Sequence, residues 1–186
     1  DTTVSFGALW RMQGRNPSLI AITNGGTSRD PNSDDGNLNF NRGDALSTVV
    51  KGYLTLGYSW QNYGAALSGK AWYDRATAHD SHPWGNIPSG FAANKPLSDE
   101  GAIARSRFSG IVADNLYAYG SNRFDAVKLD WTAGYQKLDW GNRYVAAGGL
   151  GDLNPLDAPA TLRPGVQREQ VRLAGVRLWN LARPGY

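Results

Sequence analysis

The chain has 186 residues, the size of one ordinary domain, and no cysteine, which excludes a disulfide framework and thiolate chemistry. Its net charge of +3 and isoelectric point of about 9.2 come from basic residues scattered among acidic ones, with no Lys/Arg stripe to track a phosphate backbone, so nucleic acid is not an expected partner. No run of about 18 apolar residues exists, which excludes a membrane-spanning helix.

A mean hydropathy of -0.46 leaves a transmembrane β-barrel open, because half of every spanning strand is polar. The first segment, Thr3 to Arg11, has that pattern. Val4, Phe6, Ala8 and Trp10 share one face, and Thr3, Ser5, Gly7 and Arg11 the other, since strand side chains alternate. A polar loop, Gln13 to Asp44, follows. Within it Asp30, Asn32 and Asp34 offer alternating oxygen ligands for calcium. The Gly falls one place late for an EF-hand and no Glu closes the loop, so a polar turn is the competing reading.

Leu46 to Trp60 alternates again, with the even positions apolar. The turn Gln61 to Gly64 leads back through Ala65 to Asp74, which predicts a hairpin. The loop Ala76 to Pro96 holds both histidines, His79 and His82. Pro83 and the lack of a third ligand favour a solvated loop over zinc or a triad. Ser98, Asp99 and Glu100 predict the cap of a short helix reaching Arg107. A second hairpin follows. Ile111 to Tyr119 sets Ala113, Tyr117 and Tyr119 against Asp114, Leu116 and Ala118, and Gly120 to Asp125 is the expected turn. Val127 to Tyr135 is the cleanest alternation, with odd positions apolar. A less regular sixth strand is expected over Val171 to Leu181, after the long loop Asn142 to Gln170.

The expected fold is therefore all-β, an antiparallel transmembrane β-barrel of about six strands with long loops and one short helix. Eight strands are the minimum for a single-chain barrel, so residues 1–186 read as one domain forming the N-terminal portion of a larger barrel. Arg11, Lys51, Lys70, Asp74, Asp114, Lys128 and Asp130 fall on polar faces and are expected to line the lumen, as an ion-pair ladder or as a selectivity lining. Trp10, Tyr58, Trp60, Trp131 and Tyr135 fall on apolar faces and are expected in an aromatic girdle. Trp72 and Trp140, on the polar side, are the candidates for a sugar-stacking platform. Asn16 to Ile20 carries apolar side chains in a polar stretch and is expected to tuck inward as a plug. No nucleotide loop, nucleophile elbow or metalloprotease motif is present, so no enzyme is expected.

Several stretches occur together in order: Asp1 to Arg11, Asn16 to Ile20, Asp34 to Phe40, Trp72-Tyr73-Asp74, Leu97 to Glu100, Trp140-Gly141 and Asn154 to Asp157. Together they resemble the N-terminal part of a proteobacterial outer-membrane family called domain of unknown function 1302. The likeness covers most of the chain. One departure is Asn142-Arg143 after the Trp-Gly pair, where the family pattern implies Glu-Ser. The resemblance implies an exported β-barrel in the outer membrane of a Gram-negative bacterium, encoded near transporters and enzymes for hydrophobic or aromatic compounds. Membrane lipid, lipopolysaccharide, small hydrophobic molecules and partner transport proteins are then the expected partners. The expected function is passage or uptake of small hydrophobic molecules. A structural barrel with a closed lumen, whose loops bind a partner or glycan, is the first alternative. A soluble β-rich carbohydrate-binding protein is the second.

Overall fold

A computed structural model describes residues 1–30, 35–84, 93–125, 127–137, 157–165 and 183–184. Five strands form an antiparallel meander: β1 (Thr2–Trp10), β2 (Ala45–Trp60), β3 (Tyr63–Asp74), β4 (Ser109–Phe124) and β5 (Val127–Tyr135). A two-residue β6 (Arg183–Pro184) pairs with the start of β5. The sheet is open, and no pairing between its two edges occurs among the described residues. Three five-residue helices accompany it: α1 (Asp35–Asn39), α2 (Arg75–His79) and α3 (Ala158–Leu162).

Alternation makes the strands, and the register gives the sheet two different sides. Ser5, Lys51 and Trp72 pair in line on one side and are buried. Ser68, Lys70, Asp74 and Asp114 are buried on that same side. The other side is apolar and open: Phe6 is 81% exposed, Leu56 51%, Ile111 85% and Leu116 59%. Leu56, Leu67, Leu116 and Tyr135 stand in register across β2 to β5, a belt of large apolar groups facing outward. The covered side is the charged one and the exposed side the greasy one, the reverse of a water-soluble sheet.

The two ends of the sheet also differ. β2–β3 and β4–β5 are joined by two-residue turns, with Gln61 and Asp125 at positive φ, as tight hairpins require. The other end carries the long connections between β1 and β2 and between β3 and β4. The predicted turns Gln61 to Gly64 and Gly120 to Asp125 are therefore too long. The strands continue because Tyr63 and Trp131 pack their rings over Gly120 at 6.4 Å between centroids. Asn122 donates to Tyr63 Oη at 2.7 Å and accepts from Trp131 Nε1 at 2.9 Å.

Four further expectations are corrected. The helix from Ser98 to Arg107 is absent, and only a 3-10 turn, Ala104–Ser106, forms there. Gly101 takes a left-handed φ of +81°, which breaks a helix, and Ser98 Oγ instead accepts from the Glu100 N–H at 3.2 Å. Helices α1, α2 and α3, each too short to show periodicity, lie in stretches read as loop. A register shift between Ser68 and Gly69 makes Asp114 a β-bulge, so Tyr117 and Tyr119 join its side of β4 and Leu116 and Ala118 face outward. Of the plug segment, Ile20 is buried but Leu19 is 46% exposed, and Asn16 bonds to Asn37 in the β1–β2 connection. The predicted strand Val171 to Leu181 lies outside the described residues.

Candidate functional site beneath a polar strap

Residues 157–165 cross the covered face of the sheet as a strap. Asp157 caps α3 through the Ala160 N–H, with Pro159 in the first turn, an arrangement these residue types favour. Past the helix, Arg163 lies over the Trp72 ring at 4.0 Å and donates to the Arg105 carbonyl at 2.6 Å. Pro164 and Gly165 rest on β1 at Gly7, where any Cβ would collide with the Pro164 backbone. Only a glycine permits this approach.

Asp157 points into a buried ion cluster. Lys70 Nζ donates to its carboxylate at 2.8 Å, and Arg105 does so at 3.1 Å. Asp114 lies 3.3 Å from Arg105 and 3.8 Å from Lys70. Lys70, Asp114 and Asp157 are almost wholly buried, and Arg105 is the rim of the group. Lys137 completes it. Its backbone N–H donates to Asn115 Oδ1 at 3.1 Å, and Asn115 in turn donates to Ser68 Oγ at 2.8 Å. The bulge thus aims Asp114 and Asn115 to the same side, one as an ion and the other as a clamp on Lys137.

Two buried polar atoms in the cluster, Lys137 Nζ and Asp114 Oδ2, have no hydrogen-bond partner among the described residues. The Lys137 ammonium faces the Asp114 and Asp157 carboxylates and the Lys70 and Arg105 cations. Burial raises the Asp157 carboxyl, but the Lys70 hydrogen bond and the Lys70 and Arg105 charges outweigh it and hold the group below its ordinary value.

Of the seven residues expected to line a lumen, Lys70 and Asp114 meet in this cluster, and Lys51 is buried beside Gly165. Asp74 is buried at the end of β3, where it caps α2 and binds Ser47 and the Thr48 N–H. Arg11 lies past the end of β1 and ties together loop carbonyls at Gln13 and Gly36 and the side chain of Asn37. Lys128 and Asp130 pair at 3.1 Å near the hairpin end, 59% and 63% exposed. Sequence reasoning missed Arg105, Lys137, Asp157 and Arg163. Pro159 two places after Asp157 was the legible cap signal, and Gly69 inside β3 was the legible bulge signal.

The aromatic set Trp10, Tyr58, Trp60, Trp131 and Tyr135 lies on the open face. Tyr58, Trp60 and Trp131 are toward the short turns, Trp10 is at the opposite end, and Tyr135 is in the middle belt. Trp72 is 5% exposed, with its Nε1 bound to the Arg107 carbonyl, so it offers no platform to a sugar. Trp140 lies outside the described residues. So do Asn32 and Asp34 of the calcium candidate, and the Asp30 N–H donates to Ser28 Oγ. His79 Nε2 pairs with Tyr73 Oη at 2.6 Å, while His82 packs on Phe40 and Trp84.

Gly7→Val is expected to lift the strap. The readout is an Ala160→Cys thiol, unique in a chain without cysteine and fully buried at rest. Its maleimide labelling should rise by at least about tenfold when the strap leaves, an opening worth roughly 1.4 kcal/mol.

No curated protein and no solved structure matches the chain. A family model does, over residues 1–180, nearly the whole chain. The charged covered face, the apolar open face and the strap therefore belong to a member of the family described as Protein of unknown function (DUF1302).

Proposed function

We propose that this sheet is one wall of an outer-membrane β-barrel that passes small, mainly hydrophobic molecules. The open face carries the reading. Its apolar residues run along β2 from Val50 to Trp60, ten steps or roughly 33 Å of strand. At a tilt of about 40° that becomes about 25 Å, the height of the apolar band of an outer-membrane barrel. Trp60, Tyr58 and Trp131 stand at one border, where rings with a polar edge suit the lipid interface. In this reading the covered face lines the lumen, and the remaining strands needed for closure lie beyond the five described in full.

A second reading, a structural barrel with a closed lumen, draws support from the strap itself, which lies across the polar face and joins the ion cluster. One experiment separates these readings from each other and from a soluble protein. The protein is extracted from membranes with and without detergent, then reconstituted in planar bilayers. Detergent-dependent extraction with steady conductance is the expected result. Detergent dependence without conductance favours the closed barrel. Full recovery in detergent-free buffer overturns both.

A further inference from the structure

The cluster beneath the strap holds three cations, Lys70, Arg105 and Lys137, against two carboxylates, Asp114 and Asp157. The two acids are held differently. Asp114 belongs to the sheet, in the bulge of β4, and its contacts are 3.3 and 3.8 Å. Asp157 belongs to the strap and makes the shorter contacts, 2.8 and 3.1 Å. The strap is fastened mainly by polar groups: Asp157 on Lys70 and Arg105, and Arg163 on Trp72 and the Arg105 carbonyl. Its α3 buries one apolar side chain, Ala160.

We propose that Lys70, Arg105 and Lys137 form a binding site for the carboxylate of a small organic acid, which takes the place of the Asp157 side chain and releases the strap. The strap's own acid marks where a carboxylate sits. Lys137 explains why a free acid competes with it. Its buried ammonium has no hydrogen-bond partner among the described residues, while Asn115 fixes the backbone beside it. An incoming carboxylate gains a charge-assisted hydrogen bond there that Asp157 does not make. Asp114 stays in place behind the pair and limits the surplus to one positive charge. The role of this site in opening a passage rests on the barrel reading above. The binding itself does not.

The test is calorimetric titration of the intact folded protein with benzoate, with benzyl alcohol as the uncharged control. Wild type is expected to bind benzoate saturably and benzyl alcohol far more weakly. Asp157→Asn removes the internal competitor and should tighten benzoate binding about tenfold. Lys137→Gln should weaken it by at least about tenfold. Lys137→Arg keeps the charge, should retain binding, and guards against a folding defect in the Gln variant. Benzoate should also raise labelling of the Ala160→Cys thiol. No saturable binding by Asp157→Asn, equal binding of benzyl alcohol, or unchanged binding by Lys137→Gln would each overturn the proposal. Binding by a protein recovered without detergent would leave the site standing and remove the barrel. Conductance without benzoate binding would do the reverse.

Discussion

Asp114→Asn is expected to lower the stability of the folded protein by about 3–5 kcal/mol, the cost of leaving buried cations without their partner. Asp114 is fully buried, and it faces Lys70 and Arg105 directly. Its loss leaves three cations against the single Asp157 carboxylate. Asn fills the same volume, so the change isolates charge from packing. The measurement is urea unfolding in detergent micelles or lipid vesicles. Pairing the substitution with Lys137→Met returns the cluster to its original surplus of one charge. Most of the lost stability should then come back, and a simple sum of two penalties would sink the electrostatic account.

Leu56→Arg is the second large effect, and its sign depends on what the open face meets. Leu56 sits in the middle of the outward belt with Leu67, Leu116 and Tyr135. A guanidinium at the midplane of a bilayer costs about 2–4 kcal/mol, so insertion yield and stability in lipid should both fall. The same change on a water-facing surface stays within about 0.5 kcal/mol. Ser59→Arg, on the other face of β2 and near its turn, is the matched control and should be tolerated. Equal tolerance of both variants in lipid would remove the barrel reading.

Much of the sheet was legible because its two sides have opposite chemistry. Val127 to Tyr135 alternates without error, and the structure keeps that alternation throughout β5. The same rule placed β1, β2 and β3 to within two residues at each end. It failed where period two itself breaks, at the Asp114 bulge. The site was less legible for a different reason. Lys70 and Asp157 are 87 residues apart in the chain, and Arg105 and Asp157 are 52 apart. Pairing over such distances is decided by where a loop lands, and no local pattern encodes that. Two of the cluster's five charges, Lys70 and Asp114, are on strands and were identified as polar-facing. The other three lie past strand ends, where alternation has nothing to say.

The bulge also bears on how this chain tolerates changes of length. Upstream of it, Gly110 and Val112 pair with Trp72 and Lys70 on the covered side, and downstream Asn115, Tyr117 and Tyr119 pair with Ser68, Ala66 and Gly64. Losing one residue from an ordinary strand inverts every side chain beyond the cut. Here β4 carries one residue more than its ladder has rungs for, and that surplus residue is Asp114. Removing it would leave Asn115 in regular alternation with Val112's side of the strand interrupted by nothing but Ala113, and every downstream pair in place. The pairing ladder is whole without its central acid, so deleting Asp114 would keep the register on both sides, straighten the local bend of the bulge and cost the sheet its buried charge rather than its strand order.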